Sequence, residues 1–172
     1  MEDIPQPRRD LVSREKYFCV WTASSTGRLK TMFPRVASYR TSIGCAFSCS
    51  FCVMPHLMNG RYLQKKPEDV VDDIAVLKEE YVYFVDDEMF LDTKRIDRIA
   101  DILNERGIRK RYISWTRSDT IVDHPDIFRK WKQAGLDTVY VGFESMDPER
   151  LDEYNKKNSV KKNREAIKVL RD

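Results

Sequence analysis

The feature of this sequence that most restricts its fold is an alternation of strand-like and helix-like segments. Four short apolar runs are suited to buried strands: 36–43, 81–85, 111–116 and 138–143. Segments with helical spacing of apolar residues begin at four places between and after these runs: 67, 93, 125 and 160. Strands that alternate with helices in this order indicate parallel βα units. We therefore predict an α/β fold in which about four βα units form part of a barrel.

The ends of the chain fit this pattern less well than its middle. Four βα units do not close a barrel, and the fourth strand would leave an apolar edge, which proteins usually cover. We therefore expect the chain to be part of something larger. The segment before the first strand contains Pro5, Pro7 and a pair of arginines, a composition typical of a linker. We predict two regions: a linker or N-terminal extension from a missing upstream domain over 1–34, and a partial core of βα units over 35–172.

Composition excludes several classes of protein. Hydrophobic residues make up 41% of the chain and charged residues 34%, as expected for a globular domain with a real core. No apolar run approaches the length of a membrane span, and the first residues do not resemble a signal peptide, so we expect a cytoplasmic protein. The net charge of +3 is too small and too dispersed to favour nucleic-acid binding. The basic run at Lys156-Lys157 and Lys161-Lys162 is expected to be a solvated helix face.

Three of the four cysteines lie close together, and their spacing predicts a metal centre. They occupy one short stretch, Cys45-Ala-Phe-Ser-Cys49-Ser-Phe-Cys52, directly after the first predicted strand. Structural zinc usually takes four ligands in two separated pairs. Three cysteines on one loop leave a fourth position open, which in a [4Fe–4S] cluster gives one iron without a protein ligand. Cys19 could still complete a zinc or electron-transfer site, although a structural thiol is the simpler interpretation.

The cysteine stretch resembles the C-x3-C-x2-C motif of the radical S-adenosylmethionine (radical SAM) enzymes. Phe51, directly before the last cysteine, matches the aromatic residue that this family prefers there. The resemblance implies a [4Fe–4S] cluster on Cys45, Cys49 and Cys52 whose open iron binds S-adenosylmethionine. It also implies reductive cleavage of that cofactor to a 5′-deoxyadenosyl radical, and a three-quarter barrel of which this chain holds about four units.

The same resemblance places cofactor contacts at the ends of the later strands. In the family these ends hold the amino, carboxylate and ribose groups of S-adenosylmethionine. Besides Phe51, the matching positions here are Asp86 or Asp87, Arg117, Glu144 and Ser145. The usual Gly-Gly-Glu sequence is replaced by an acidic variant, Asp86-Asp87-Glu88, so which carboxylate binds the amino group stays open.

Simpler roles are available for several of these polar residues. Arg117 is as well suited to an ordinary salt bridge with a neighbouring acid. Asp92 is expected to be a helix N-cap. The acids that follow the second strand could also form a Mg²⁺ site. No role is assigned to His56, and His124 is expected to cap a helix.

The region before the motif resembles the junction downstream of a cobalamin-binding domain, with a linker over 3–11 and the pattern Thr41-x-x-Gly44-Cys45. This implies a small-molecule substrate, cobalamin bound by a domain absent from this chain, and an electron donor such as flavodoxin or ferredoxin. Methylation of an unactivated carbon or oxidative ring chemistry is then expected. Two alternatives remain. One is a methylthiotransferase that acts on transfer RNA or a ribosomal protein; the other is a non-catalytic zinc module that uses all four cysteines.

Overall fold

The structure, a computed structural model, describes residues 1, 7–13, 19–22, 31–33 and 36–171, with the backbone alone for 19–22 and 31–33. Most of the predicted extension 1–34 therefore lies outside the described residues. Within it, a 3-10 turn covers Arg9–Leu11, and β1 (Cys19–Thr22) pairs antiparallel with β2 (Thr31–Phe33). The Arg9 guanidinium donates a hydrogen bond to the carbonyl oxygen of Ser38, which ties this turn to the first strand of the main sheet.

The described part of the core contains six further strands: β3 (Val36–Tyr39), β4 (Ser42–Gly44), β5 (Tyr62–Gln64), β6 (Tyr81–Phe84), β7 (Arg111–Arg117) and β8 (Leu136–Gly142). Strands β3, β6, β7 and β8 form a four-stranded sheet in that order, and every neighbouring pair is parallel. The predicted α/β fold built from parallel βα units is confirmed. The carboxyl ends of these strands meet at one edge of the sheet, where polar side chains can converge.

Helices connect the strands and follow the last of them: α1 (Met54–Met58), α2 (Pro67–Ala75), α3 (Thr93–Glu105), α4 (Ser118–Asp123), α5 (Pro125–Ala134), α6 (Pro148–Glu153) and α7 (Val160–Arg171). Local capping explains several boundaries. The Asp92 side chain accepts a hydrogen bond from the Arg95 N–H, as predicted for an N-cap of α3. Gly135 follows α5 with φ of +118°, the left-handed region that glycine enters most easily. No helix of the described residues is long and apolar enough to cross a membrane.

The structure differs from the sequence prediction between residues 36 and 65. The strand predicted over 36–43 is two strands, because the chain turns at Thr41. The Thr41 N–H donates to the Asp86 carboxylate, and its carbonyl oxygen accepts from the Lys65 N–H at 3.0 Å, so neither continues the parallel ladder. β4 instead pairs antiparallel with β5, which lies in a region where no strand was predicted. Helix α4 was also not predicted, since no turn residue separates it from β7.

The apolar core lies between the sheet and the helices that cover one of its faces. Phe84 of β6 stacks on Tyr112 of β7 with ring centroids 5.4 Å apart, and Trp131 of α5 packs edge-on against both rings. The indole N–H of Trp131 donates to the carbonyl oxygen of Ile96 at 3.0 Å, so this large buried side chain leaves no unpaired donor. This rigid core fixes the positions of the strand ends that carry the polar residues.

Candidate functional site

One open cleft of about 170 Å³ lies at the carboxyl ends of the parallel strands. All three cysteines of the loop line it. The strand ends and the segment after α6 contribute its charged residues: Asp87, Glu88, Arg117, Glu144 and Lys156. The cleft therefore combines soft sulfur ligands with charges of both signs, an arrangement suited to a metal cluster beside a zwitterionic ligand.

The cysteine loop, residues 45–52, begins at a sharp bend. Gly44 has φ of +101°, and a Cβ there would lie 2.1 Å from the carbonyl oxygen of Arg61, so only glycine fits. Cys45, Cys49 and Cys52 are free thiols and are half-buried. Burial raises the pKa of the Cys45 thiol, which favours its protonated form until a positively charged partner binds.

The three cysteines of the loop are a donor set that a cubane cluster can use. A [4Fe–4S] cluster places each cysteine on a different iron, so the sulfurs surround a cube and need not meet at a point. Phe47 and Phe51 line the same cleft and supply apolar walls. The donor set therefore suits a [4Fe–4S] cluster with three protein ligands.

Two of the acids that follow β6 have separate surroundings. Asp86 is buried and accepts hydrogen bonds from the Thr41 backbone and hydroxyl and from the Ser42 hydroxyl. Asp87 lines the cleft and accepts a hydrogen bond from the Gly44 N–H. The structure thus places Asp87 at the site, whereas Asp86 holds the turn between β3 and β4.

Glu88 is a cleft residue that sequence reasoning did not select. Its side chain is 3% exposed, and Oε1 accepts a hydrogen bond from the Thr116 hydroxyl at 3.1 Å. Burial raises the pKa of the Glu88 carboxyl to about 7, although Thr116 and Arg117 act in the opposite direction. The acidic run 86–88 was the available signal, but the sequence alone does not tell which of three consecutive acids faces the cleft.

Arg117 forms the predicted salt bridge and also lines the cleft. Its guanidinium forms a two-pronged ion pair with Asp119, with N–O distances of 2.9 and 2.7 Å, which is the predicted salt bridge to a neighbouring acid. The remaining Nη1 lies 3.7 Å from the Cys49 sulfur, and the guanidinium plane lies 3.7 Å from the centre of the Phe47 ring. Arg117 therefore faces the cysteine loop and the cleft at once.

Glu144 and Lys156 form an ion pair that also lines the cleft. The Lys156 Nζ lies 2.9 Å from Oε1 of Glu144, and a Cβ on Gly142 would come within 2.8 Å of that oxygen. Lys156 is 4% exposed, so its interpretation as part of a solvated helix face was wrong. Its ammonium also lies 5.9 Å from the ring centre of Phe51, which is half exposed.

The remaining candidates lie away from the cleft. The Ser145 hydroxyl accepts a hydrogen bond from the Asp147 N–H at 3.0 Å, and Ser145 is not among the cleft residues. His56 and His124 are exposed, and His124 occupies the N-cap position of α5 without a side-chain capping bond, so the predicted capping role is wrong for its imidazole. The side chain of Cys19 lies outside the described residues.

Comparison with known proteins gives a consistent result. The profile of the family described as the Radical SAM superfamily matches residues 39–172. The chain is 32% identical to the hopanoid C-3 methylase of Methylococcus capsulatus over 166 residues, which cover 96% of this chain and 30% of that protein. It is 29% identical to the anaerobic magnesium-protoporphyrin IX monomethyl ester cyclase of Cereibacter sphaeroides, over 80% of this chain and 23% of that protein. The chain thus spans less than a third of the length of either relative.

Solved structures show the same fold. The cobalamin-dependent S-adenosylmethionine radical enzyme OxsB, with aqua-cobalamin and S-adenosylmethionine bound, superposes with a TM-score of 0.67 at 21% identity over 78% of this chain and 22% of that chain. The radical S-adenosylmethionine methyltransferase TsrM from Kitasatospora setae, with cobalamin and a [4Fe–4S] cluster bound, gives a TM-score of 0.65 at 20% identity over 96% of this chain and 35% of that chain.

Proposed function

This chain belongs to the radical SAM superfamily, and from that premise we propose that it is an enzyme core that binds a [4Fe–4S] cluster and S-adenosylmethionine. The observation that carries the proposal is the single cleft in which Cys45, Cys49 and Cys52 meet the charged strand ends. When bound and reduced, the cluster supplies one electron that cleaves a C–S bond of S-adenosylmethionine to methionine and a 5′-deoxyadenosyl radical.

The charges of the cleft suit the two ends of the methionyl group. We propose that Asp87 and Glu88 receive its ammonium, because both carboxyl groups line the cleft. Asp86 is the weaker choice, since its carboxylate already accepts several hydrogen bonds outside the cleft. Lys156 also lines the cleft and retains N–H donors beyond the one given to Glu144, which suits the methionyl carboxylate.

Arg117 is better suited to the cluster than to the cofactor carboxylate. Two of its nitrogens are occupied by Asp119, and the Nη1 that remains points at Cys49. A guanidinium close to a cysteine sulfur stabilises negative charge on that sulfur, which favours the thiolate that binds iron. We therefore propose that Arg117 stabilises the thiolate of Cys49. The contact with the cofactor carboxylate, which the resemblance predicts for Arg117, would be shared with Lys156.

The reaction proposed for the full protein is methylation or ring formation on a small molecule, with cobalamin bound outside this chain. This follows from relatives named as methylases and a cyclase and from solved neighbours that contain cobalamin. A low-potential donor such as flavodoxin or ferredoxin and a cytoplasmic location belong to the same proposal. We propose Phe51, Glu144 and Ser145 as further contacts of S-adenosylmethionine, because these positions match the family motifs. Phe51 and Glu144 line the cleft, whereas Ser145 does not.

The test is formation of 5′-deoxyadenosine by the chain after anaerobic reconstitution, with dithionite as reductant and detection by mass spectrometry. We expect the product from the wild-type chain and from Cys19→Ala, and none from Cys49→Ala. An iron-loaded protein that never cleaves S-adenosylmethionine would contradict the proposal. Zinc bound without iron, and lost in Cys19→Ala, would favour the zinc module.

A further inference from the structure

We propose that Asn155 is a positioning residue that holds the cysteine loop in its cluster-binding conformation before any cluster is present. The inference rests on the proposed function only in that this loop carries the cluster ligands. It is carried by hydrogen bonds between the loop and a turn, residues 153–156, that lies more than 100 residues further along the chain. We call this segment the clamp turn.

The Asn155 side chain makes the central contact of the clamp turn. Its Nδ2 donates to the carbonyl oxygen of Ser48 at 2.7 Å and lies 3.0 Å from the Ser48 hydroxyl oxygen. Both acceptors belong to the residue directly before Cys49. One amide group therefore fixes the backbone of the loop next to its middle cysteine.

The other side of the middle cysteine is held by backbone atoms of the clamp turn. The Ser50 N–H donates to the carbonyl oxygen of Tyr154 at 2.9 Å, and the Ser50 hydroxyl donates to the carbonyl oxygen of Glu153 at 3.0 Å. Hydrogen bonds at Ser48 and Ser50 thus hold the loop on both sides of Cys49.

The loop needs support from another segment because much of its own surface is exposed to solvent. Within it, the Cys52 N–H donates to the carbonyl oxygen of Cys49 at 3.0 Å, but Ala46, Ser48 and Ser50 are exposed. Segments with few buried apolar contacts open easily on their own. The hydrogen bonds to the clamp turn supply the order that burial does not.

The conformation of the clamp turn follows from the way α6 ends. Asn155 has φ of +48°, the Lys156 N–H donates to the carbonyl oxygen of Leu151 at 3.0 Å, and the Asn155 N–H donates to that of Asp152 at 2.9 Å. This is the Schellman pattern, in which the left-handed residue is usually glycine and sometimes asparagine. Asn155→Gly therefore removes the clamping side chain and keeps the residue best suited to the turn.

The experiment compares Asn155→Gly with Asn59→Gly, a matched control. Asn59 also has positive φ, +51°, at the end of α1, and its side chain makes no hydrogen bond within the described part of the chain. Hydrogen exchange is measured on metal-free protein for the amides of 48–52 and for those of β6 and β7. Iron retention against a chelator is then measured on the reconstituted proteins.

We expect exchange in the loop of Asn155→Gly to be roughly tenfold faster, as loss of about one to two hydrogen bonds of ordinary net strength implies. Because glycine suits the left-handed turn and offsets part of this loss, exchange in β6 and β7 should change less than exchange in the loop, and the melting temperature should fall only slightly. Iron should be lost faster, and Asn59→Gly should match wild type. A turn residue without a clamping role predicts unchanged loop exchange, and that result would overturn the proposal.

Two further outcomes are informative. If wild-type protein takes up no iron, the proposed function fails. Exchange on the metal-free protein still tests whether the clamp turn holds the cysteine loop. If Asn155→Gly does not fold, Ser50→Ala removes the hydroxyl bond to Glu153. It should speed loop exchange by about fivefold. Loop exchange at the wild-type rate in Ser50→Ala would then overturn the clamp.

Discussion

Oδ2 of Asp87 accepts a hydrogen bond from the backbone N–H of Gly44 at 2.8 Å, and this contact joins the end of the second parallel strand to the first residue before the cysteine loop. Asp87 also lines the cleft. One side chain therefore contacts both the start of the cysteine loop and the cleft, and we expect a change at Asp87 to affect both.

Replacing Asp87 tests this coupling. Asp87→Ala leaves the Gly44 N–H without its acceptor and should lower the free energy of unfolding of the metal-free protein by about 1–2 kcal/mol. Asp87→Asn keeps an oxygen acceptor and should cost less. Urea denaturation measures the free energy of unfolding, and iron content after reconstitution measures how well the cysteine loop binds iron. If Asp87→Ala equals wild type in both, the contact does not orient the loop.

Two glycines with positive φ should respond very differently to alanine. At Gly60 a Cβ meets nothing within 4 Å, so Gly60→Ala should cost only the backbone penalty of roughly 1–2 kcal/mol. At Gly44 the added Cβ would lie 2.1 Å from the carbonyl oxygen of Arg61, the residue directly before β5. Gly44→Ala should therefore cost more than about 3 kcal/mol, as overpacking adds to the backbone penalty. If thermal denaturation shows that both variants lose the same stability, the backbone must shift to relieve the close approach at Gly44.

Glu88 should make the metal-free protein less stable as pH rises. Burial raises its pKa from 4.5 to about 7, so the folded state retains a proton that the unfolded state has lost. The stability that the protonated carboxyl contributes is present below about pH 4.5 and disappears by about pH 7, with a total change of roughly 3 kcal/mol. Glu88→Gln should remove this loss of stability with rising pH, and Glu165→Gln, at an exposed position, should keep it. Chemical denaturation of wild type and both variants at several pH values measures the effect.

Arg117 should not tolerate lysine, although the charge is unchanged. A lysine cannot hold both oxygens of Asp119 and also face the Cys49 sulfur, because it lacks the planar fork. Arg117→Lys should lower the free energy of unfolding by about 2 kcal/mol and reduce iron retention. Arg111→Lys is the control, since Arg111 pairs with Asp137 at the exposed surface and its replacement should cost much less than that of Arg117. Similar losses for both variants would argue against a special role for Arg117.

Sequence patterns were informative where the determinants are local. The order of βα units follows from apolar periodicity, and the cysteine triad follows from spacing within eight residues. The buried state of Lys156 was missed because it depends on a cysteine loop distant in sequence, and a basic run by itself looks solvated. Glu88 was missed because the backbone after β6 decides which of three consecutive acids face the cleft, and the sequence does not show that Asp87 and Glu88 do.

We propose that the three cysteines hold a [4Fe–4S] cluster with one iron open to S-adenosylmethionine. Electron paramagnetic resonance of the anaerobically reconstituted and reduced protein, before and after addition of S-adenosylmethionine, tests this proposal. We predict a [4Fe–4S]⁺ signal that shifts when the cofactor is added. A signal that stays the same with the cofactor, or a protein that contains zinc and no iron, would contradict the claim.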